Sequence, residues 1–386
     1  MTKQLRIDWF LFAIAASLAL FGAVMVYSAS AMIALKETEG ASQFTYFYKQ
    51  FGFTLIGLMV MYATSKINYR WYQDKTVVYG ILAVTAILLL AVFGFPPING
   101  ARRWIRFAGV SFQPSEIAKI ALPIFLAYFL TEKKDSIGEL KETVLPCALV
   151  VGGFGALIMF EPDLGTTMVL CAICVTVYFA AGAKLTHIVL TIGSLFLVGV
   201  SALILSPWRM KRLFAFLNPW ENSADGSYQV VQGLYAIGSG GILGEGFAKG
   251  QQKLFYLPYP YSDFIFAVVG EELGLVGTLC VVVAFGLLLW RGTRAALLAP
   301  DRFGMLLGIG IITGIIVQAL FNISVVVSIL PAKGIPLPFI SYGGSSIIVT
   351  LFAVGILLNL SQHAGFAPFE KSETPTRRKH GKTGLK

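Results

Sequence analysis

An acid stands where a polar loop meets a long apolar run. The stretch reads Lys253-Leu-Phe-Tyr-Leu-Pro-Tyr-Pro-Tyr-Ser-Asp263, and Phe264-Ile-Phe-Ala begins a run that continues to Trp290. That run is long enough to cross a bilayer, which puts Asp263 at the mouth of a membrane helix and Glu271 and Glu272 about two turns inside it. A lone carboxylate at a helix centre costs about 2.5–3.5 kcal/mol on insertion scales, so intramembrane acids are candidates for a functional role. Asp263, at the rim, has two readings. It is either a reactive carboxylate that takes a proton from a substrate hydroxyl, or the N-cap of the helix that follows.

Other ionisable residues occur in marked settings. Ser111-Phe-Gln113-Pro114-Ser115-Glu116-Ile-Ala-Lys119 opens an apolar run. Pro114 and Ser115 read as a helix start, and Glu116 and Lys119 share a face at i, i+3. These two form a structural ion pair inside lipid or belong to a proton or substrate path. Glu161-Pro-Asp163-Leu-Gly165-Thr places two carboxylates on a tight turn, where they hold a cation or cap the next helix. Leu330-Pro-Ala-Lys333-Gly-Ile-Pro-Leu-Pro338-Phe-Ile-Ser341-Tyr-Gly-Gly-Ser-Ser346 is broken by proline and glycine beside an apolar run. At membrane depth such backbone is tolerated only when buried in protein or lining a cavity.

The elements that must position these groups follow from composition. The chain has 386 residues, 56% hydrophobic and only 13% charged, about half the charge of an ordinary soluble domain. It reads as an all-α polytopic integral membrane protein. About ten transmembrane helices fall near 8–33, 50–65, 76–95, 115–131, 143–160, 164–181, 185–206, 264–290, 303–329 and 343–361, with one long extracytoplasmic loop, 207–262. The first run lacks a small-residue cleavage site and reads as a retained helix. The membrane domain is residues 1–361, and 362–386 form a disordered basic cytoplasmic tail.

With both termini inside, 18 of the 30 lysines and arginines are cytoplasmic, as the positive-inside rule expects. The net charge of +10 is thus largely topogenic and gives no reason to invoke nucleic acid. Eleven fall outside and Lys119 lies within a span; the informative exceptions on the outside are Arg102, Arg103, Arg106, Arg209, Lys211, Arg212, Lys249, Lys253 and Lys333. As a set they suggest an anionic ligand, a pyrophosphate or a lipid headgroup. The glycine run Gly238-Ser-Gly-Gly-Ile-Leu-Gly-Glu245-Gly lacks the Gly-Lys-Ser/Thr of a nucleotide loop and reads as a turn or as backbone approaching a phosphate. Cys171 and Cys174 form a C-x-x-C inside an apolar run and read as small packing residues, and the three histidines are scattered. Neither a metal site nor a Ser-His-Asp triad is indicated. Acid–base chemistry on a lipid-linked, phosphate-bearing substrate fits, and so does a binding or transport cavity for such a lipid.

Taken together, these motifs resemble the SEDS family (shape, elongation, division and sporulation) of bacterial membrane proteins. The resemblance spans all ten helices. It rests on Asn99-Gly-Ala-Arg102-Arg103-Trp104-Ile, Gln113-Pro-Ser-Glu116-Ile-Ala-Lys119, Pro162-Asp-Leu-Gly-Thr166, Asp263-Phe-Ile-Phe-Ala, Gly270-Glu-Glu-Leu-Gly274 and Pro338-Phe-Ile-Ser341-Tyr-Gly-Gly-Ser-Ser346. Arg102-Arg103 and Lys333-Gly look like the cell-division branch. Division members often carry Glu and His just before the acid, where this chain has Tyr259 and Tyr261.

The resemblance implies a peptidoglycan glycosyltransferase that polymerises lipid II at the outer face of the cytoplasmic membrane during division, at the septum. Asp263 would be catalytic, and Arg102, Arg103, Lys253, Lys333 and Ser341 would bind substrate. Glu116, Lys119, Glu271 and Glu272 would be structural or form a proton or substrate path. No cofactor is certain, though a divalent cation (Mg or Mn) could share the pyrophosphate. Expected partners are a class B penicillin-binding transpeptidase and other division-complex membrane proteins. The alternatives are a lipid II flippase and a division-complex scaffold.

Overall fold

A computed structural model describes residues 7–98, 100–107, 110–204, 210, 213–214, 216–217, 219–220 and 227–364. Lys3, Arg6, Asn99, Arg209, Lys211, Arg212 and the tail beyond residue 364 lie outside the described residues.

Each expected span contains a helix. In chain order these are α1 (Trp9–Glu37), α2 (Thr45–Lys66), α3 (Lys75–Ala91), α4 (Pro114–Glu132), α5 (Leu145–Phe160), α6 (Leu164–Ala180) and α7 (Leu185–Ile204). After the short loop helix α8 (Tyr228–Gly240) come α9 (Ile265–Leu297), α10 (Arg302–Val326) and α11 (Gly344–His363). Among the described residues, seven helices are long and apolar enough to cross a membrane. The protein is an all-α polytopic membrane protein, with one small antiparallel hairpin, β1 (Ile105–Phe107) and β2 (Val110–Phe112).

Charged caps gather at one end of the bundle. Asp8 caps α1 by accepting from the Phe10 and Leu11 amides and pairs with Arg291 at 2.6 Å. Asp301 caps α10 and pairs with Arg70 at 3.0 Å. The opposite end holds the α5–α6 turn, the α9 mouth and the broken segment before α11.

Helix α2 is less apolar than its neighbours because its polar residues face inward. Gln50, Thr54, Thr64 and Ser65 are buried, and the helix lies close against α11. A Cβ on Gly355 would come 2.7 Å from the Met61 carbonyl. Close approach of small residues is how helices associate in lipid, where no hydrophobic drive operates between them.

The 264–290 run departs from the expected continuous helix. Gly274 has φ 64° and ψ −160°, so α9 breaks there. The glycine run repairs the break. Glu245 and Gly246 amides donate to the Glu271 and Glu272 carbonyls, and the Leu275 and Val276 amides donate to the Gly241 and Ile242 carbonyls. This is how a broken membrane helix satisfies its freed backbone. The approach is backbone to backbone: any Cβ on Gly240 would collide with the Gly270 carbonyl.

Candidate active site

Asp263 is held by four elements. The α9 cap position is Phe264, not Asp263, so the acid is not the N-cap. Its side chain is partly exposed, and Oδ1 accepts from the Ser262 hydroxyl at 2.9 Å. On α10, Asn322 Nδ2 donates to the Asp263 carbonyl and to the Ile335 carbonyl, both at 2.7 Å. Ser341 Oγ donates to the Ser262 carbonyl and accepts from the Leu337 amide, each at 2.7 Å. From α2, Gln50 accepts from the Gly343 amide at 3.2 Å and donates to the Ser341 carbonyl at 3.3 Å. The backbone carrying the acid and the proline-broken segment are thereby fixed to one another, the support that a catalytic carboxylate needs.

Lys333 and Gly334 run beside the acid. A Cβ on Gly334 would lie 2.8 Å from Asp263 Oδ2, so only glycine allows this approach without displacing the carboxyl. Gly334→Ala is expected to lower kcat by about 100-fold with expression intact, since a shift of order 1 Å at a reacting group costs that much. Steady-state kinetics of the purified variant check this. The next residue, Ile335, packs on Gly165 at the start of α6, and Lys333 Nζ lies 2.9 Å from Met168 Sδ on that helix.

The α5–α6 turn completes this face. Asp163 caps α6, accepting from the Thr166 amide at 3.0 Å and hydroxyl at 2.9 Å, and it also accepts from Gln113 at 3.2 Å. The cap reading of this acid therefore holds. Arg103 donates to the Glu161 and Pro162 carbonyls, binding the end of α5 as cations do at helix C-termini. Arg102 donates to the Phe93 carbonyl at 2.8 Å and remains exposed.

Glu161 is fully buried, and neither carboxyl oxygen has a hydrogen-bond partner among the described residues. Burial and then the nearby Asp163 push its pKa up to about 8, against the opposing pull of Arg103. The unfolded value is about 4.3. With the folded pKa raised, stability present at low pH is lost as pH rises from about 4.3 to 8, because the unfolded chain ionises first. Glu161→Gln should therefore gain melting temperature over wild type progressively across that window and level off above pH 8. Melting curves at several pH values read the difference directly.

Glu116, Lys119, Lys253, Glu271 and Glu272 are placed differently. Lys119 Nζ lies 2.8 Å from Glu116 Oε2 and donates to Gln318, whose amide donates to the Pro336 carbonyl at 2.8 Å. The buried ion pair is thus a brace for the broken segment. Lys253, expected to face a pyrophosphate, is only 5% exposed and is paired with Glu272. It also donates to Ser28 of α1 at 2.9 Å, and Ser28 donates to Glu272 at 2.6 Å. Glu272 accepts from the Ala248 amide, and Glu271 from the Gln251 and Gln252 amides. These two acids, expected well inside a continuous helix, instead fasten the loop to the α9 break.

The residues that sequence reasoning missed are Gln50, Gln318 and Asn322. A polar pair at i, i+4 in the apolar α10 was a readable signal for the last two. Ser28 carried none.

Fold and site define a polytopic membrane protein with an accessible carboxylate set in a rigid, hydrogen-bonded cradle at one end of the bundle. The chain belongs to the FtsW/RodA/SpoVE family of cell cycle proteins, whose family model matches residues 8–365. It is 40% identical to stage V sporulation protein E of Bacillus subtilis, over 95% of this chain and 100% of that protein. It is 41% identical to a probable peptidoglycan glycosyltransferase FtsW of Geobacter metallireducens, over 92% of this chain and 95% of the relative. Among solved structures it is similar to a chain of a peptidoglycan synthase complex that coordinates polymerization and crosslinking (TM-score 0.76, 26% identity, 93% and 98% coverage). It is likewise similar to the rod shape determining protein RodA of Thermus thermophilus (TM-score 0.68, 27% identity, 93% and 98% coverage).

Proposed function

We infer that this chain is a peptidoglycan glycosyltransferase that polymerises lipid II into glycan strands at the outer face of the bacterial cytoplasmic membrane. The observation that carries the reading is the partly exposed Asp263 carboxylate in its four-element cradle, with Lys333-Gly334 against it. Asp263 takes the proton of the acceptor sugar hydroxyl as that oxygen attacks the anomeric carbon of the second lipid-linked sugar. The new glycosidic bond forms with inversion, the bond to the pyrophosphate oxygen breaks, and undecaprenyl pyrophosphate leaves with the electron pair. Lys333, with the exposed Arg102, supplies positive charge for that leaving group. Lys253 is removed from this role by its pairing with Glu272, and Arg103 acts through the α5–α6 turn. Ser341 acts through the Ser262 carbonyl rather than on substrate.

Among the described residues no group of three or more His, Cys, Asp or Glu gathers to hold a metal. Asp263, a single partly exposed carboxylate, is the residue that would hold a magnesium or manganese ion together with substrate phosphates, and the ion would supply charge to the pyrophosphate.

The similarity to a complex coordinating polymerization and crosslinking supports a class B penicillin-binding transpeptidase as partner. The match to a family of cell cycle proteins, with the Arg102-Arg103 and Lys333-Gly pairs that resemble the cell-division branch, supports a place in the division complex at the septum. Asp8 at the start of α1 meets Ser361 at the end of α11, at the same end as Arg70 and Arg291, and positive charge at that end supports cytoplasmic termini.

Vesicles reconstituted with the chain and labelled lipid II separate this reading from transport. Glycan strands without transbilayer movement of label are expected. Movement without glycan would make it a flippase.

A further inference from the structure

Three tyrosines meet beside the catalytic loop. Tyr46 begins α2, Tyr261 lies two residues before Asp263, and Tyr342 follows Ser341 in the broken segment. Ring centroids are 4.8 Å apart for Tyr46 and Tyr261, 5.2 Å for Tyr46 and Tyr342, and 5.7 Å for Tyr261 and Tyr342. The last two pairs are edge-to-face. All three side chains rest against the hydrophobic core and stay partly exposed, so each keeps some surface within reach of a ligand. The cluster is fixed to the cradle by its backbone, because the Tyr342 amide donates to the Tyr261 carbonyl at 2.9 Å. The Tyr46 hydroxyl donates to Glu37 at the end of α1 at 2.7 Å. A fourth ring, Tyr259, is more than half exposed on the same loop and sits at φ 49°, a backbone conformation that tyrosine seldom adopts.

A wholly internal aromatic cluster would leave these side chains no exposure, which they retain. A bilayer anchor would present them singly at the headgroup level. Here they converge on one another and on the two backbone segments that flank Asp263 and Ser341. A pyranose ring has an apolar C–H face and a polar rim, which matches an aromatic wall whose hydroxyls and a nearby carboxylate offer hydrogen bonds. The ring nearest Asp263 during reaction must be the one whose hydroxyl is deprotonated.

Resting on the glycosyltransferase reading above, we propose that Tyr46, Tyr261 and Tyr342 form the binding wall for the acceptor hexose of the lipid-linked disaccharide. Tyr261 is the central ring, and Glu37 fixes the Tyr46 hydroxyl at its edge. The wall holds the sugar by its C–H face while Asp263 engages the hydroxyl. Much of this contact is made in both ground and transition states, so its loss should appear in KM more than in kcat.

The test uses full-length protein in detergent with two variants, Tyr261→Leu, which removes the ring, and Tyr261→Phe, which keeps it. Polymerisation kinetics on lipid II should show KM raised about 5- to 10-fold in Tyr261→Leu and near wild type in Tyr261→Phe, a loss in line with an aromatic stacking contact. Binding is then measured in an Asp263→Asn background with two probes, lipid II and sugar-free undecaprenyl pyrophosphate. Tyr261→Leu should weaken lipid II binding by a similar factor and leave the sugar-free lipid unaffected. Equal weakening of both probes, or no change in either, overturns the proposal. If wild type itself makes no glycan, the glycosyltransferase reading fails; if wild type polymerises and Tyr261→Leu does the same, the sugar wall alone fails.

Discussion

Asp263→Ala is expected to abolish glycan polymerisation, with the rate falling by about 10²–10⁴ for loss of a general base. The variant should express, melt and bind lipid II much as wild type does. The carboxyl makes a hydrogen bond from Ser262, whereas the bonds from Asn322 and Ser341 that organise the segment go to backbone carbonyls that alanine retains. The cradle therefore survives while the base is lost. Asp263→Asn should be as inactive, because the amide has no basic oxygen to take the proton. A polymerisation assay with a melting curve for each variant checks the pair.

The second large effect falls on stability, not on chemistry. Lys253→Ala leaves the fully buried Glu272 carboxylate without its ammonium partner, and breaking one side of a buried ion pair typically costs about 3–5 kcal/mol. That is a large share of the stability of any folded chain. The loop that repairs the α9 break is fastened through the same carboxylate, by the Ala248 amide and Ser28, so the loss should be cooperative. Removing both charges in Lys253→Met with Glu272→Gln should recover much of the melting temperature and, with it, the polymerisation rate. A lysine serving the pyrophosphate would behave in the opposite way: Lys253→Met would cost turnover with little change in melting, and the double substitution would not restore it.

These two residues show what the sequence made legible. Asp263 was readable as a candidate base because its setting is local: an acid at the junction of a polar loop and an apolar run needs no knowledge of tertiary structure. The ten spans were readable for a similar reason, since apolar length and loop charge are one-dimensional properties. The pairing of Lys253 was not legible because its partner, Glu272, lies across a turn whose path depends on the Gly274 break. That break was hidden because α9 keeps an apolar pattern through it. The glycines of 238–246 were visible, but not the carbonyls of Gly270, Glu271 and Glu272 against which they close. Arg102 and Arg103 were readable as outer cations, while their carbonyl partners on Phe93, Glu161 and Pro162 were not. The juxtaposition of Gly334 with Asp263 joins segments far apart in the chain, which no local pattern encodes.

The central claim is that a single fixed carboxylate at the outer end of the bundle makes glycan. The most direct measurement is lipid II polymerisation by the purified chain together with its transpeptidase partner, comparing wild type with Asp263→Asn at matched lipid II occupancy. The account predicts glycan strands from wild type and none from Asp263→Asn, with both proteins binding lipid II equally. Glycan yield from Asp263→Asn near that of wild type would contradict it.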